Sequence, residues 1–225
     1  PSEHAGIVWG LDVARFGDDT TALAMRRGNA LLAPVREWKK LDNMQVAGII
    51  AKLFRETALD KRPASINIDV IGLGAGVVDR LRELGLPARG VNVGEASPLD
   101  PQRYMRLRDE LWFSAREWFD AKDCTMPKDD GLMSELVQPK YKIESSGKIK
   151  VESKDDMKKR GVKSPNRADA FCLTFAGGDM VFDLRRTTSI SEYDPMSVGS
   201  ADFEREIARA SSRQATAGID DYKPW

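Results

Sequence analysis

Two short apolar segments that each contain an aspartate constrain the fold of this chain more than any other feature. Gly6 to Val13 (GIVWGLDV) contains Asp12, and Ser65 to Ile71 (SINIDVI) contains Asp69. Apolar runs of this length, bounded by turn residues, are typical of buried β-strands. An acid inside such a strand is costly unless the protein uses it. The two segments therefore predict a sheet whose buried strands carry functional carboxylates.

The remaining pattern predicts an α/β domain with a mixed sheet covered by helices. Further strands are expected over Thr20 to Arg26, Ala30 to Trp38 and Ala88 to Val93, which gives a sheet of five or more strands. Helices are expected after the Asp42 and Gln45 capping box, from Gly72 through Leu84, from Tyr104 to Trp118, from Lys154, and from Pro165. An added β-hairpin is expected where Lys140 to Glu144 and Lys148 to Glu152 flank a turn.

The composition restricts the chemistry that the chain can perform. Its 225 residues suffice for one domain with a full hydrophobic core, and His4 is the only histidine. A Ser-His-Asp triad, a Cys-His pair and a multi-histidine zinc site are therefore excluded. Cys124 and Cys172 match no metal-ligand spacing and are expected to be reduced. Catalysis must then depend on carboxylates, lysines or a bound metal ion.

The two ends of the chain predict its domain organisation. Residues 1–178 are expected to form the folded domain, and residues 179–225 a flexible tail rich in Ser, Ala, Asp and Arg. The first residues carry neither a Met nor a signal pattern, so we expect that the chain was cut from a longer polypeptide. No apolar run approaches the roughly 20 residues of a membrane helix, and no membrane partner is expected.

Asp12, Asp69 and Asp169 are the candidate catalytic and metal-binding residues. If the first strand is central and the fourth lies beside it, Asp12 and Asp69 are neighbours, and a helix over that pair could add Asp169. Three carboxylates that converge without basic partners repel one another, so a fold keeps them only if cations occupy the site. Oxygen ligands select Mg²⁺ or Mn²⁺ over zinc. Two such ions about 4 Å apart can activate a water and stabilise the leaving oxygen in phosphodiester hydrolysis.

A basic segment precedes Asp169 in a chain whose formal net charge is zero. Residues 139–168 contain ten Lys or Arg against four Asp or Glu. Lysine-rich segments are usually solvated surface, but beside an acidic site suited to phosphodiester hydrolysis phosphate contact is the better interpretation. The candidate DNA-binding residues are Lys148, Lys150, Lys154, Lys158, Lys159, Arg160 and Lys163. Lys154 is also a candidate for contact with the scissile phosphate. For Asp18 a turn role is favoured over a place in the metal site.

Three segments resemble the nuclease half of phage large terminase subunits, which belong to the ribonuclease H-like superfamily. They are GLDVARFGDDTT, SINIDVIGLGAGVVDRL and KIKVESKDDMKKRGVKSPNRADAFCLTFA, within residues 5–177, and SPNRADAF is the most specific part. The resemblance implies a ribonuclease H-like fold in which Asp12, Asp69 and Asp169 bind two metal ions. Many superfamily members have glutamate where this chain has Asp69, a shorter acid. A Mg²⁺- or Mn²⁺-dependent endodeoxyribonuclease is the implied activity.

The same resemblance implies a biological setting. Large terminases cut concatemeric double-stranded DNA to begin and end genome packaging, and an ATPase domain precedes their nuclease domain. This chain has no Walker A pattern, which fits an excised C-terminal domain. The implied partners are double-stranded DNA, that upstream packaging ATPase domain, the small terminase subunit and the portal ring, with residues 179–225 as a candidate portal-docking segment. The implied location is the cytoplasm of the infected bacterium and not the mature virion.

Two other classes of function remain open. GLDVARFGDDTT also resembles the phosphate loop of actin-like and sugar-kinase folds, which bind nucleotides. Gly72, Gly74 and Gly76 superficially match a dinucleotide fingerprint, but Val77 stands where that motif requires glycine, and the second large lobe of such kinases is lacking. The other class is a non-catalytic DNA- or portal-binding module in which the acids only cap turns.

Overall fold

A computed structural model describes residues 5–14 and 20–177 of the chain. The strands are Ile7–Asp12 (β1), Thr20–Arg27 (β2), Ala30–Leu31 (β3), Arg36–Lys39 (β4), Ser65–Asp69 (β5), Ala88–Val91 (β6), Tyr141–Ile143 (β7) and Ile149–Val151 (β8). The α-helices are Asn43–Glu56 (α1), Gly74–Glu83 (α2), Leu107–Asp120 (α3), Asp130–Leu136 (α4), Lys154–Lys159 (α5) and Asn166–Leu173 (α6), and Leu59–Lys61 is a 3₁₀ turn. None of these helices has the length and hydropathy to span a membrane. His4, Asp18 and the expected tail over residues 179–225 lie outside the described residues.

The main sheet has six strands with β1 near its centre. Its order is β3-β2-β1-β5-β6, and β4 pairs with β2. Strand β2 is antiparallel to β1, whereas β5 is parallel to β1 and β6 is parallel to β5. Leu11 pairs with Ile68 in the parallel register, so the next residues, Asp12 and Asp69, end neighbouring strands at the same edge of the sheet. The predicted mixed sheet and the predicted pairing of its two acid-bearing strands are confirmed.

Alternation along β1 directs its side chains to opposite faces of the sheet. Ile7, Trp9 and Leu11 pack in a hydrophobic core together with residues of α1 and α2. On the other face Gly10 contacts α6, and a second core is formed there by α3, α4 and α6. Because side chains alternate with a period of two, Asp12 belongs to the face that α6 covers. The alternation of apolar residues in β1 therefore determines that Asp12 points toward α6.

Helix α6 lies against the sheet at unusually short range because β1 has no side chain at the contact. A Cβ atom at Gly10 would be 2.0 Å from the carbonyl oxygen of Ala170 and 3.0 Å from the amide nitrogen of Thr174. The side-chain amide of Asn67 on β5 also donates to the carbonyl oxygens of Leu173 and Ala176, at 2.9 and 3.0 Å. Helix α6 is therefore fixed to both acid-bearing strands.

Three elements differ from the sequence-based expectation. The strand expected from Ala30 to Trp38 is split into β3 and β4 around Pro34, which has no amide hydrogen for a ladder. The helix expected from Tyr104 begins at Leu107, because Tyr104 forms a β-bridge with Ile149. Helix α4 was not predicted. The β7–β8 hairpin was predicted and is confirmed.

Candidate active site

A cavity of about 380 Å³ lies where the ends of β1 and β5 meet helix α6. Asp12 at the end of β1, Asp69 at the end of β5 and Asp169 in the first turn of α6 all line it. Asp12 and Asp169 are buried, with 6% and 8% of their surface exposed, and Asp69 is half-buried. The structure therefore brings the three predicted carboxylates to one cavity.

The ammonium group of Lys154 stands between two of these carboxylates. Its Nζ is 3.3 Å from Oδ2 of Asp12 and 3.0 Å from Oδ2 of Asp169. Lys154 is the first residue of α5, which is capped by the Ser153 side chain directly after strand β8. The expectation that the carboxylates converge without basic partners is wrong, because the chain supplies a cation of its own.

Asp169 is held in one orientation by residues of α3. The indole Nε1 of Trp112 donates a hydrogen bond of 3.1 Å to Oδ1 of Asp169, and Arg108 pairs with the same oxygen at 3.5 Å. The Arg108 guanidinium also donates to the carbonyl oxygen of Glu152 at 2.7 Å and lies 5.6 Å from the centre of the Trp112 ring. Oδ2 of Asp169 is buried, and among the described residues its polar partner is the Lys154 ammonium at 3.0 Å. One oxygen is thus fixed, and the other points at Lys154.

Burial and neighbouring charges separate the pKa values of the three acids. Burial raises the pKa of Asp12 to about 6, and the charges of Asp169 and Asp69 add to burial while Lys154 opposes it. Burial also raises the pKa of Asp69, against a hydrogen bond from the amide of Ile71. For Asp169, burial is outweighed by Lys154 and Arg108, which hold its pKa below the usual value. Burial would lower the pKa of Lys154, but the two carboxylates raise it, so the ammonium stays charged at neutral pH.

These side chains fit a divalent cation by chemistry, but Lys154 would have to move. Within residues 5–14 and 20–177, no group of three or more His, Cys, Asp or Glu side chains is placed to hold a metal ion. The Lys154 ammonium takes the position where two buried carboxylates would neutralise such an ion. Among the described residues the buried Oδ2 of Asp169 has no partner other than this ammonium, and carboxylate oxygens are the ligands that Mg²⁺ and Mn²⁺ prefer. Asp12, Asp69 and Asp169 would hold the ion once Lys154 had left that position.

The predicted DNA-binding residues divide into two groups. Lys150, Lys154 and Lys158 line the cavity. Four others do not line it: Lys148, Lys159, Arg160 and Lys163. Lys159 pairs with Asp156 at 2.9 Å, and Arg160 donates to Glu152 at 2.7 Å and to the carbonyl oxygen of Gln138. The last two cations therefore already have partners within the chain.

Sequence reasoning gave no site role to several polar or aromatic residues that line the cavity, among them Arg106, Arg108, Trp112 and Asn166. The first three lie in a segment predicted as a helix with an aromatic core face. The ring of Trp112 does belong to that core. The available signal was the pair of arginines two residues apart at the start of that helix. Asn166 lies in the SPNRADAF segment, but that segment alone predicts no function for its side chain.

Comparison with known proteins finds similarity at the level of structure. No protein-family model matches the chain, and no curated protein matches it. Among solved structures, the nuclease domain of the large terminase subunit gp2 of bacterial virus Sf6 aligns at a TM-score of 0.63 and 21% identity. That alignment covers 75% of this chain and 87% of the Sf6 domain.

Two further large terminase nucleases are also similar. The large terminase nuclease of phage G20c aligns at a TM-score of 0.58 and 12% identity, over 77% of this chain and 83% of that one. The large terminase nuclease domain of Thermus phage P74-26 aligns at 0.56 and 12%, over 77% and 80%. Structures of the Sf6 domain include forms with manganese and with calcium, and those of G20c include forms with magnesium and with cobalt. The described residues share the fold of these large terminase nuclease domains.

Proposed function

We propose that this chain is the nuclease domain of a large terminase subunit, and that it cuts double-stranded DNA with two divalent ions, Mg²⁺ or Mn²⁺. The observation that carries the proposal is the convergence of Asp12, Asp69 and Asp169 in one cavity of a terminase-nuclease fold. Five basic residues line the same cavity: Arg106, Arg108, Lys150, Lys154 and Lys158. A site that combines converging carboxylates with surrounding cations suits hydrolysis of a phosphodiester.

In this proposal each residue has a defined task. Asp12, Asp69 and Asp169 would hold the ions, which would supply Lewis-acid stabilisation and a more acidic water. Trp112 and Arg108 keep Oδ1 of Asp169 fixed, so that Oδ2 stays directed into the cavity. Lys154 neutralises Asp12 and Asp169 in the ion-free site, and its ammonium would contact the scissile phosphate once it had left that position. The other basic lining residues bind flanking phosphates.

The proposal also assigns the partners of the domain. A packaging ATPase domain would precede it in the same polypeptide, and the substrate would be concatemeric phage DNA. The small terminase subunit and the portal ring would complete the assembly, with residues 179–225 as the portal-docking segment. The site of action would be the cytoplasm of an infected bacterium and not the mature virion.

A plasmid-cleavage assay with and without divalent ions tests the function. We expect cleavage with Mg²⁺ or Mn²⁺ and none with a chelator. Each ion should also raise the melting temperature, because an ion at a hundred times its Kd stabilises the folded state by about 2.7 kcal/mol. For a domain of this size that corresponds to roughly 5–11 °C. DNA binding without cleavage would favour a non-catalytic module, and stabilisation by ATP with no cleavage would favour the actin-like or sugar-kinase-like alternative.

Two adjacent lysines give a matched test of the path of DNA over the domain. Lys158 lines the cavity, whereas Lys159 is paired with Asp156 and does not line it. Lys158→Ala should lower the slope of log affinity against log salt by about 0.9, the value for one lost phosphate contact. Lys159→Ala should change it less. The measurement is a salt titration of binding to duplexes of unrelated sequence. Equal reductions for both variants would place DNA on the outer face of α5 as well.

A further inference from the structure

The first turn of α6, which carries Asp169, is fixed from outside by a polar network. The amide nitrogens of Arg167 and Ala168 donate to the same oxygen, Oε2 of Glu135, at 2.8 and 3.1 Å. No side chain of α6 itself caps this end, because Pro165 occupies the cap position. Glu135 lies on α4, so a carboxylate from another helix takes the capping role.

Arg167 extends the same network through its side chain. Its guanidinium donates to Oδ1 of Asp129 at 3.0 Å and pairs with Glu37 on β4. A Cβ at Gly131 would be 2.8 Å from this guanidinium, so the glycine leaves the space that the side chain occupies. Asp129 in turn accepts from the amides of Val35 and Leu132. The first turn of α6 is therefore tied to α4 and to β4.

Asn166 adds a connection to the central part of the sheet. Its Nδ2 donates to Oγ1 of Thr20 at 3.1 Å, and that hydroxyl donates to Oε1 of Glu37 at 2.8 Å. Glu37 therefore binds Arg167 directly, and it is linked to Asn166 through the Thr20 hydroxyl.

The C-terminal end of α6 is held by a positively charged side chain. The guanidinium of Arg26, which is 2% exposed, donates to the carbonyl oxygen of Thr174 at 2.9 Å and to its hydroxyl at 3.0 Å. A carboxylate at the N-terminus and a guanidinium at the C-terminus both complement the helix dipole. Asp169 lies about 4.5 Å along the axis from Asn166, within the part of the helix that Glu135 caps.

We propose that Glu135 is a positioning residue for Asp169: it holds the first turn of α6 so that the Asp169 carboxylate meets Trp112, Lys154 and Asp12. Glu135 accepts from two backbone amides, and within residues 5–14 and 20–177 it has no hydrogen bond or ion pair with a cavity-lining acid. Its effect therefore passes through the placement of the helix. The consequence for cleavage rests on the proposed nuclease function, whereas the placement of Asp169 does not.

The indole resonance of Trp112 provides a direct readout of this placement. Its Nε1–H donates to Oδ1 of Asp169, so its chemical shift in a ¹⁵N–¹H correlation spectrum reports that contact. The chain has five tryptophans, and Trp112→Phe identifies the signal. Burial raises the pKa of Glu135 to about 7. Spectra and kinetics are therefore recorded at about pH 8.5, where the group is ionised.

Three variants isolate the role of Glu135. Glu135→Ala removes the cap, Glu135→Gln keeps an acceptor oxygen of the same reach, and Glu135→Asp keeps the charge but shortens the reach. The matched control is Asp42→Ala, which removes the side-chain cap of α1 at the Gln45 amide. Helix α1 carries none of the cavity-lining residues. Both alanine variants should lower the melting temperature to a similar degree.

We expect Glu135→Ala to shift the Trp112 signal and to lower kcat by about tenfold to a hundredfold with little change in KM. Glu135→Gln should restore most of both properties, Glu135→Asp should restore little, and Asp42→Ala should change neither. If Glu135→Ala does not fold, Glu135→Asp decides the question by the same readouts. An unshifted Trp112 signal in the folded variant would overturn the proposal. If the wild type cuts no DNA, the nuclease proposal fails, and the Trp112 signal still decides whether Glu135 positions Asp169.

Discussion

Asp12→Asn is expected to reduce divalent-ion-dependent cleavage of duplex DNA by more than about 100-fold. Loss of a partner that merely orients a metal ligand costs ten- to a hundredfold, so loss of a ligand itself should cost more. Asparagine has nearly the same shape as aspartate but no charge. Fold and DNA binding should survive, because the contact of the Asp12 carboxylate with Lys154 is replaceable: Lys154 keeps Asp169 at 3.0 Å.

The same variant should lose most of the rise in melting temperature that Mg²⁺ or Mn²⁺ causes in the wild type. Asp79→Asn is the matched control, since Asp79 is exposed on α2 and does not line the cavity. It should leave both cleavage and the ion-induced rise intact. Near-normal cleavage by Asp12→Asn would remove this residue from the catalytic set. If Asp12→Asn lowered the stability of the ion-free protein by several kcal/mol, Asp12 would be a structural hydrogen-bond centre.

The sequence predicted that Asp12, Asp69 and Asp169 lie together, because local patterns determine where these carboxylates are placed. Apolar residues alternate in β1 with one face toward α1 and α2, so a strand that buries Trp9 and Leu11 must place Asp12 on the other face. The apolar spacing of Ala168, Phe171 and Cys172 likewise fixed the buried side of α6. In these elements the spacing of the apolar residues is enough to determine which way each side chain points.

The sequence suggested Lys154 only for contact with a phosphate, and its ion pairs with Asp12 and Asp169 could not be predicted, because they depend on contacts between elements that are distant in sequence. Asp12 and Lys154 are 142 residues apart, and the β7–β8 hairpin and α5 together deliver the ammonium group. The hydrogen bond from Trp112 to Asp169 could not be predicted either. A row of aromatic residues on a helix has the same spacing whether or not one indole also donates to an acid. Helix α4 was missed because its seven residues supply only one fully buried side chain, Leu132.

Gly10→Ala is expected to be among the most destabilising single-methyl changes in the domain. The new Cβ would lie 2.0 Å from the carbonyl oxygen of Ala170 and 3.0 Å from both Cγ2 and the amide nitrogen of Thr174. Two of these three atoms belong to the backbone of α6 and the turn that follows it, so no rotamer change relieves the overlap. Overpacking a core costs about 1–3 kcal/mol, and a backbone obstacle should place this variant at about the upper limit. The melting temperature should then fall by roughly 6–12 °C.

Gly48→Ala is the matched control for the same chemical change. Gly48 is exposed in α1, and a Cβ there would have no neighbour within 4 Å. Alanine is favoured over glycine in a helix by about 1 kcal/mol, so this variant should melt at a higher temperature than the wild type. Opposite shifts for the two substitutions would show that the close contact of α6 with β1 is responsible, and not the loss of glycine as such.

Gly10→Ala should reduce the rate of DNA cleavage by more than the loss of folded protein alone would explain. Gly10 lies two residues before Asp12, and its contact on α6, Ala170, directly follows Asp169, so any displacement of the helix changes the separation of the two acids. Cleavage measured well below the melting temperature should therefore be lost even where the variant is folded, and the ion-induced rise in melting temperature should shrink. A folded Gly10→Ala variant that cleaves DNA at the wild-type rate would show that the acids tolerate movement of α6. The short contact at Gly10 would then serve stability alone.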